Sequence, residues 1–244
     1  MLSFLYIFDP VLMHPPFLVA TVVGLALTFW AQTRVKSAFR KYAQVGVRSG
    51  MTGAEAAAAV CRAGGVTGVT IERSQGFLSD HYDPRAKALR LSPDVYDGRS
   101  ISAIAVAAHE AGHSIQDATE YAPLGFRSAM VPLTMFGSRA WYFVFLGGVL
   151  LQASSAALGP VMMQVGVGLF AAVVAFQFLT LPVEIDASRR AKAVLADTGI
   201  VATAEEADGV DKVLNAAAMT YVAAAAASLL QLLALLARVN SSND

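Results

Sequence analysis

Polarity along this chain is organised in long blocks. Pro10 to Thr33 contains no Lys, Arg, Asp or Glu, a run of 24 residues, where about 20 suffice for a helix to cross a bilayer. Ala140 to Val183 is uncharged for 44 residues, which as helix is about 66 Å, or two crossings of a ~30 Å hydrocarbon core. The turn between those crossings is expected near Leu158-Gly159-Pro160, where Gly and Pro interrupt helix. Gly147-Gly148 and Gly166/Gly168 read either as close helix approach or as local flexibility. A last uncharged run covers Val213 to Ala237, with an Ala-rich half, Ala223 to Ala227, suited to packing against other helices. The pattern predicts four spans, approximately 11–33, 140–158, 161–182 and 214–237.

Between the first two spans the periods shorten. Thr52-Gly53-Ala54-Glu55 has the spacing of a capping box and starts an Ala-rich helix that stops at Gly64-Gly65. Val69 to Arg73 alternates as a strand. Ser79 to Arg85, with Asp83-Pro84, reads as a polar turn leading to a second short strand, Ala88 to Leu91. That second strand is expected to present a free edge on which an extended peptide could pair. Ser100 then caps a helix of small residues running from Ile101. Thr203-Ala204-Glu205-Glu206 is another capping box, opening the helix that leads into the last span.

Composition strengthens the membrane reading. Apolar residues make up 56% of the chain and charged ones 15%, against about 25% charged in ordinary soluble domains. The formal net charge is zero, so there is no electrostatic case for a nucleic-acid partner. The single cysteine, Cys61, forms no intramolecular disulfide and reads as a small buried side chain. The first sixteen residues lack Lys and Arg, so the first span is expected to be a retained anchor rather than a signal peptide. Thirteen of the 18 Lys and Arg residues lie between the first and second spans and four between the third and fourth. By the positive-inside rule both segments face the cytoplasm of an inner-membrane protein with its termini outside.

The chemistry concentrates in His109-Glu110-Ala111-Gly112-His113. Histidines at i and i+4 share one helix face and can reach one tetrahedral metal, and the intervening glutamate can act on a water beside it. A catalytic zinc needs a third protein ligand. His14 falls on the wrong side of the predicted topology, so a carboxylate is the main candidate. Glu184 is the first charge after the uncharged run. On the residues alone it reads equally as that ligand or as an interfacial acid pairing with Arg189 or Arg190.

These residues carry a family resemblance. His109-Glu110-Ala111-Gly112-His113 with a distant glutamate resembles the gluzincin metallopeptidases. Asp80-His81-Tyr82-Asp83-Pro84, Leu89-Arg90-Leu91-Ser92, Ala107 to Gln116 and Leu181 to Ser188 together resemble the bacterial neutral zinc metallopeptidases of the YugP type. The resemblance implies one Zn2+ per chain held by His109, His113 and Glu184, with Glu110 as catalytic base. Broader membrane-protease relatives carry an Asp four residues after the ligand glutamate; here that place is Ser188 and the nearest acid is Asp186, so both are candidates for orienting a histidine. His81, Tyr82 and Tyr121 are candidates for stabilising an oxyanion by residue type; His81 reads also as a turn histidine beside Asp80 and Asp83.

The expected fold is mainly α: a multi-pass helical membrane protein of about four transmembrane helices with a small α+β zincin-like cytoplasmic segment. The whole of 1–244 is expected to form one integral-membrane metallopeptidase domain, with a catalytic segment of roughly 34–139 completed by 183–212. The expected function is a membrane-bound zinc-dependent endopeptidase that hydrolyses peptide bonds near the cytoplasmic membrane face, its partners a protein or peptide substrate and the lipid bilayer. The alternative is a non-catalytic zinc-binding membrane scaffold or assembly factor. An intramembrane protease fits less well, because Ile101 to Ala108 is too short to cross and Asp117 and Glu120 follow. Oligomeric state has no signature in the sequence.

Overall fold

Where they are described, the uncharged runs lie on long helices, two of them sharing the 44-residue run, in the computed structural model, which describes residues 15–76, 79–152, 154–155 and 157–240. His14 lies outside these residues. The elements in chain order are α1 (Pro15–Tyr42), α2 (Gly53–Ala63), β1 (Thr70–Arg73), β2 (His81–Asp83), β3 (Ala88–Leu91), α3 (Pro93–Tyr96), α4 (Ile101–Ala118), α5 (Ala122–Gln152), α6 (Leu158–Asp197) and α7 (Ala204–Asn240). The helices α1, α5, α6 and α7 are long and apolar enough to cross a membrane. Two boundaries differ from the polarity pattern. Helix α5 begins at Ala122, well before the uncharged run, and includes Arg127, Pro132 and Arg139. The break before α6 falls ahead of Leu158, so Gly159 and Pro160 occupy its first turn, where a missing proline N–H leaves no hydrogen bond unmade.

The described chain divides into two compact units, and the four long helices contribute to both. The first contains residues 15–30, 126–180 and 221–240 among those described. It is built around Phe17, Phe145, Met163, Phe170 and Leu235. Its outer surface is apolar: Leu25, Phe29, Phe136 and Phe143 are 65–72% exposed, a surface suited to lipid rather than water. Two of the glycines singled out by the pattern lie at close helix contacts. A Cβ on Gly148 would stand 2.7 Å from the Met163 nitrogen, and one on Gly166 would stand 2.8 Å from Phe145. Gly168 has open space instead.

The second unit comprises residues 31–125 and 181–220. Its core gathers Phe39, Val60, Leu89, Leu91, Ile104 and Leu195 with their neighbours. Helix α4 lies inside it, with nearly every residue from Ile101 to Gln116 buried. The Ala and Gly run makes this burial feasible, since small side chains let α2 and α6 approach the α4 backbone. The three caps legible in the sequence form: Thr52 with Glu55, Ser100 with Ala103 N–H, and Thr203 with Glu206.

The sheet corrects the sequence reading in two respects. Its order is β1-β3-β2, with β1 parallel to β3 (Thr70 opposite Ala88) and β2 antiparallel (His81 opposite Arg90). Ala88 to Leu91 is therefore the central strand and has no free edge. Its nearly full burial is what two-sided pairing demands. His81 to Asp83, expected within a turn, is an edge strand. Polar residues suit an exposed edge, and the reversal comes later, where the Asp83 side chain accepts from Arg85 and Ala86 N–H and Lys87 adopts φ +50°.

Glu206 ties this unit together. Its buried carboxylate accepts from Arg48 N–H (2.6 Å), Ala202 N–H (2.8 Å) and Thr203 N–H (3.2 Å). Burial pushes its carboxyl up, but these three donors outweigh that and hold it below the usual glutamate range. Glu206→Ala should lose about 1–3 kcal/mol of stability at neutral pH by stranding buried donors, read from denaturant or thermal unfolding in detergent. Because the folded-state carboxyl is depressed, its contribution is complete above the ordinary glutamate range and is lost as pH falls through the folded value. The gap between wild type and variant should therefore close in acid.

Candidate metal centre

Two helices of the second unit supply the centre. Helix α4 projects His109 and His113 from one face, one turn apart, with ring centroids 4.8 Å apart and nearly perpendicular planes. Beyond Pro182, α6 remains helical and turns Glu184 and Ser188 toward the same place. Their meeting depends on Gly112. A Cβ there would stand 2.4 Å from the Ala187 carbonyl oxygen, far inside contact distance, so only glycine allows the two backbones to approach between the histidines.

The Glu184 carboxylate, 2% exposed, places Oε2 at 3.1 Å from His109 Nε2 and 3.5 Å from His113 Nε2. Donor atoms of all three residues lie within 4.8 Å of one another and could hold a metal ion. Zinc bonds of about 2.0–2.2 Å in a tetrahedron put ligand atoms roughly 3.3–3.5 Å apart; the two Glu184 contacts come close to that spacing, and the donor chemistry fits. The outer ring nitrogens are engaged elsewhere: His109 Nδ1 lies 3.0 Å from Ser188 Oγ, and His113 Nδ1 lies 3.0 Å from Gln116 Oε1. That leaves both Nε2 atoms for the centre. Burial pushes the Glu184 carboxyl up, but hydrogen bonds and charge from the two histidines win, holding it well below the usual range. Its ionised form is the one a cation needs.

Glu110 is buried beside this group and accepts from Tyr82 N–H at 3.1 Å. Tyr82 is itself fixed, its hydroxyl donating to Asp117 at 2.6 Å, and Lys87 pairs with the same carboxylate at 2.5 Å. Asp80 stands on the same side. Burial pushes its carboxyl up against the pull of Ser92 N–H and Oγ, and the charge of Glu110 adds to the rise.

Ser188 contacts His109 directly. Asp186 contacts neither histidine; it accepts from Gln116 Nε2 at 2.9 Å and from Arg189 and Arg190, and Gln116 in turn meets His113. These donors overcome the burial that would raise the Asp186 carboxyl and leave it lowered. Tyr82 reaches the site through its backbone N–H, its hydroxyl being committed to Asp117. His81 is exposed, with Nδ1 at 2.9 Å from Ser79 O, and the Tyr121 ring lies under the Arg190 guanidinium at 5.5 Å. Sequence reasoning missed Gln116 and Gly112. Both had a signal: Gln116 is one turn beyond His113 on the same face, and a glycine inside a buried helix carries a propensity penalty that close packing explains.

Comparison with known proteins points to a zinc peptidase family. Residues 17–240 match the family described as "Putative neutral zinc metallopeptidase". The chain is also 46% identical over 217 residues to the "Putative membrane protease YugP" of Bacillus subtilis (strain 168), covering 89% of this chain and 93% of that one. The chain belongs to this zinc metallopeptidase family. No solved structure matches it.

Replacing Gly112 by Ala should force α4 and α6 apart. Overpacking of this kind costs about 1–3 kcal/mol, and zinc retained after desalting should fall sharply while far-UV circular dichroism stays helical.

Proposed function

We propose that this protein is a membrane-bound zinc-dependent endopeptidase holding one Zn2+ per chain through His109 Nε2, His113 Nε2 and Glu184. The observation that carries this reading is the convergence of those three donors with the Glu110 carboxylate beside them. The family membership and the name of the bacterial relative support protease chemistry in general. Zinc, when bound, supplies a Lewis acid that makes water a better nucleophile near neutral pH and polarises a peptide carbonyl.

The chain's own residues then have defined work. Glu110 takes the proton from the attacking water and passes it to the leaving amine. Tyr82 N–H keeps that carboxylate aimed. Ser188 and Gln116 hold the rings so that Nε2 of each faces inward. The segments 34–139 and 183–212 lie in the cytoplasm, so the substrate is a protein or peptide cut near the cytoplasmic face of the inner membrane. Glu110, placed as a proton carrier, has no use in a purely scaffolding zinc site.

Glu110→Gln should keep bound zinc and lose about 10²–10⁴-fold in casein-type proteolysis by the detergent-purified protein. Glu184→Ala should lose the zinc itself, and chelation of wild type should abolish activity that added zinc restores. Full activity in Glu110→Gln would refute the mechanism. For topology, Arg85→Cys in a Cys61→Ala background should react with an impermeant maleimide in inverted vesicles and not in intact cells; labelling of intact cells would reverse the orientation.

A further inference from the structure

Beyond the ligands, the structure assigns Gln116 as a positioning residue that transmits the fixed polarity of Asp186 to His113 and so decides which ring nitrogen faces the metal. The inference rests on the metal-centre reading above. Gln116 is 0% exposed, so water cannot substitute for any of its partners. Its amide nitrogen lies 2.8 Å from the Val183 carbonyl oxygen and 2.9 Å from Asp186 Oδ2. Both of those atoms can only accept, the second because Asp186 pairs with Arg189 and with Arg190 Nε at 2.6 Å. The reversed amide would set an oxygen against two oxygens. The amide therefore has one orientation, with Oε1 toward His113 Nδ1 at 3.0 Å.

An acceptor at that place requires Nδ1 to carry hydrogen, which leaves the lone pair on Nε2, the atom turned toward Glu184. The polarity thus runs from the arginines through Asp186 and Gln116 into the ring. Arg190 also donates to Thr119 Oγ1 at 3.2 Å, at the C-terminal cap of α4, which ties the start of the relay to the helix that carries His113. His109 has no such device. Its Nδ1 partner is the Ser188 hydroxyl, which rotates and can either donate or accept.

The test uses full-length protein in detergent, with zinc affinity measured by competition with a chromophoric chelator. The second readout is the His113 Nδ1–H resonance in zinc-loaded, 15N-histidine-labelled protein. Gln116→Leu should weaken zinc about 10–100-fold and lose the protected resonance. Gln116→Glu alone should also weaken zinc, because it sets two carboxylates together. Asp186→Asn keeps an acceptor toward Gln116 and Arg190, its amide oxygen taking the Oδ2 place and its nitrogen turning to the side of the exposed Arg189. It should hold zinc far better than Gln116→Leu and keep the resonance. Wild-type affinity and resonance in Gln116→Leu would overturn the inference, as would loss of the resonance in Asp186→Asn. Glu184→Gln separates the two levels. If zinc binding ignores that change, the metal-centre reading itself fails; if it depends on Glu184 and ignores Gln116, only the relay does.

Discussion

The centre rests on a contact between two backbones. Gly112 on α4 meets the Ala187 carbonyl on α6 with no room for a methyl group, and each helix places one side chain of the group about a turn before that contact and one directly after it, His109 and His113 on α4 and Glu184 and Ser188 on α6. Two histidines on one helix make half a metal site anywhere they occur. The other half arrives because α6 lies close enough for a short carboxylate to reach both imidazoles. Packing at one glycine thus sets the spacing of these side chains, since a shift of a few tenths of an ångström there would be felt at Glu184.

Such closeness has an electrostatic consequence. Burying a lone carboxylate or guanidinium partner is unfavourable by several kcal/mol, on the order quoted for ions leaving water. Here the acids are distributed so that each has partners: Glu184 meets two histidines, Asp186 two arginines and an amide, Asp117 a lysine and a tyrosine, Glu110 a backbone N–H.

Much of this was legible in the sequence. Long uncharged runs, capping boxes and paired histidines are local signals whose physics acts within a few residues, and the helices carrying them follow. On the residues alone Glu184 stood out because it ended a run of 44 uncharged positions; its meeting with His109 is a tertiary fact. The sheet was misread where tertiary pairing outweighed local preference. His81 to Asp83 has turn chemistry, yet Ala88 to Arg90 draws it into a strand, and Ala88 to Leu91 becomes central because partners arrive on both sides. The supporting residues were hardest. Whether Asp186 or Ser188 meets a histidine depends on side-chain direction on α6, where Ser188 contacts His109 and Asp186 contacts Gln116, the partner of His113.

The Tyr82–Glu110 hydrogen bond gives the β2–β3 hairpin a metrological role. The carboxylate is rooted in a helix but aligned by a strand, so its aim is a difference between two positions maintained by separate parts of the fold. The short reversal at residues 84–87 acts as the gauge between them. An insertion there, although on the surface and remote in sequence from His109, would miscalibrate the carboxylate without touching His109, His113 or Glu184.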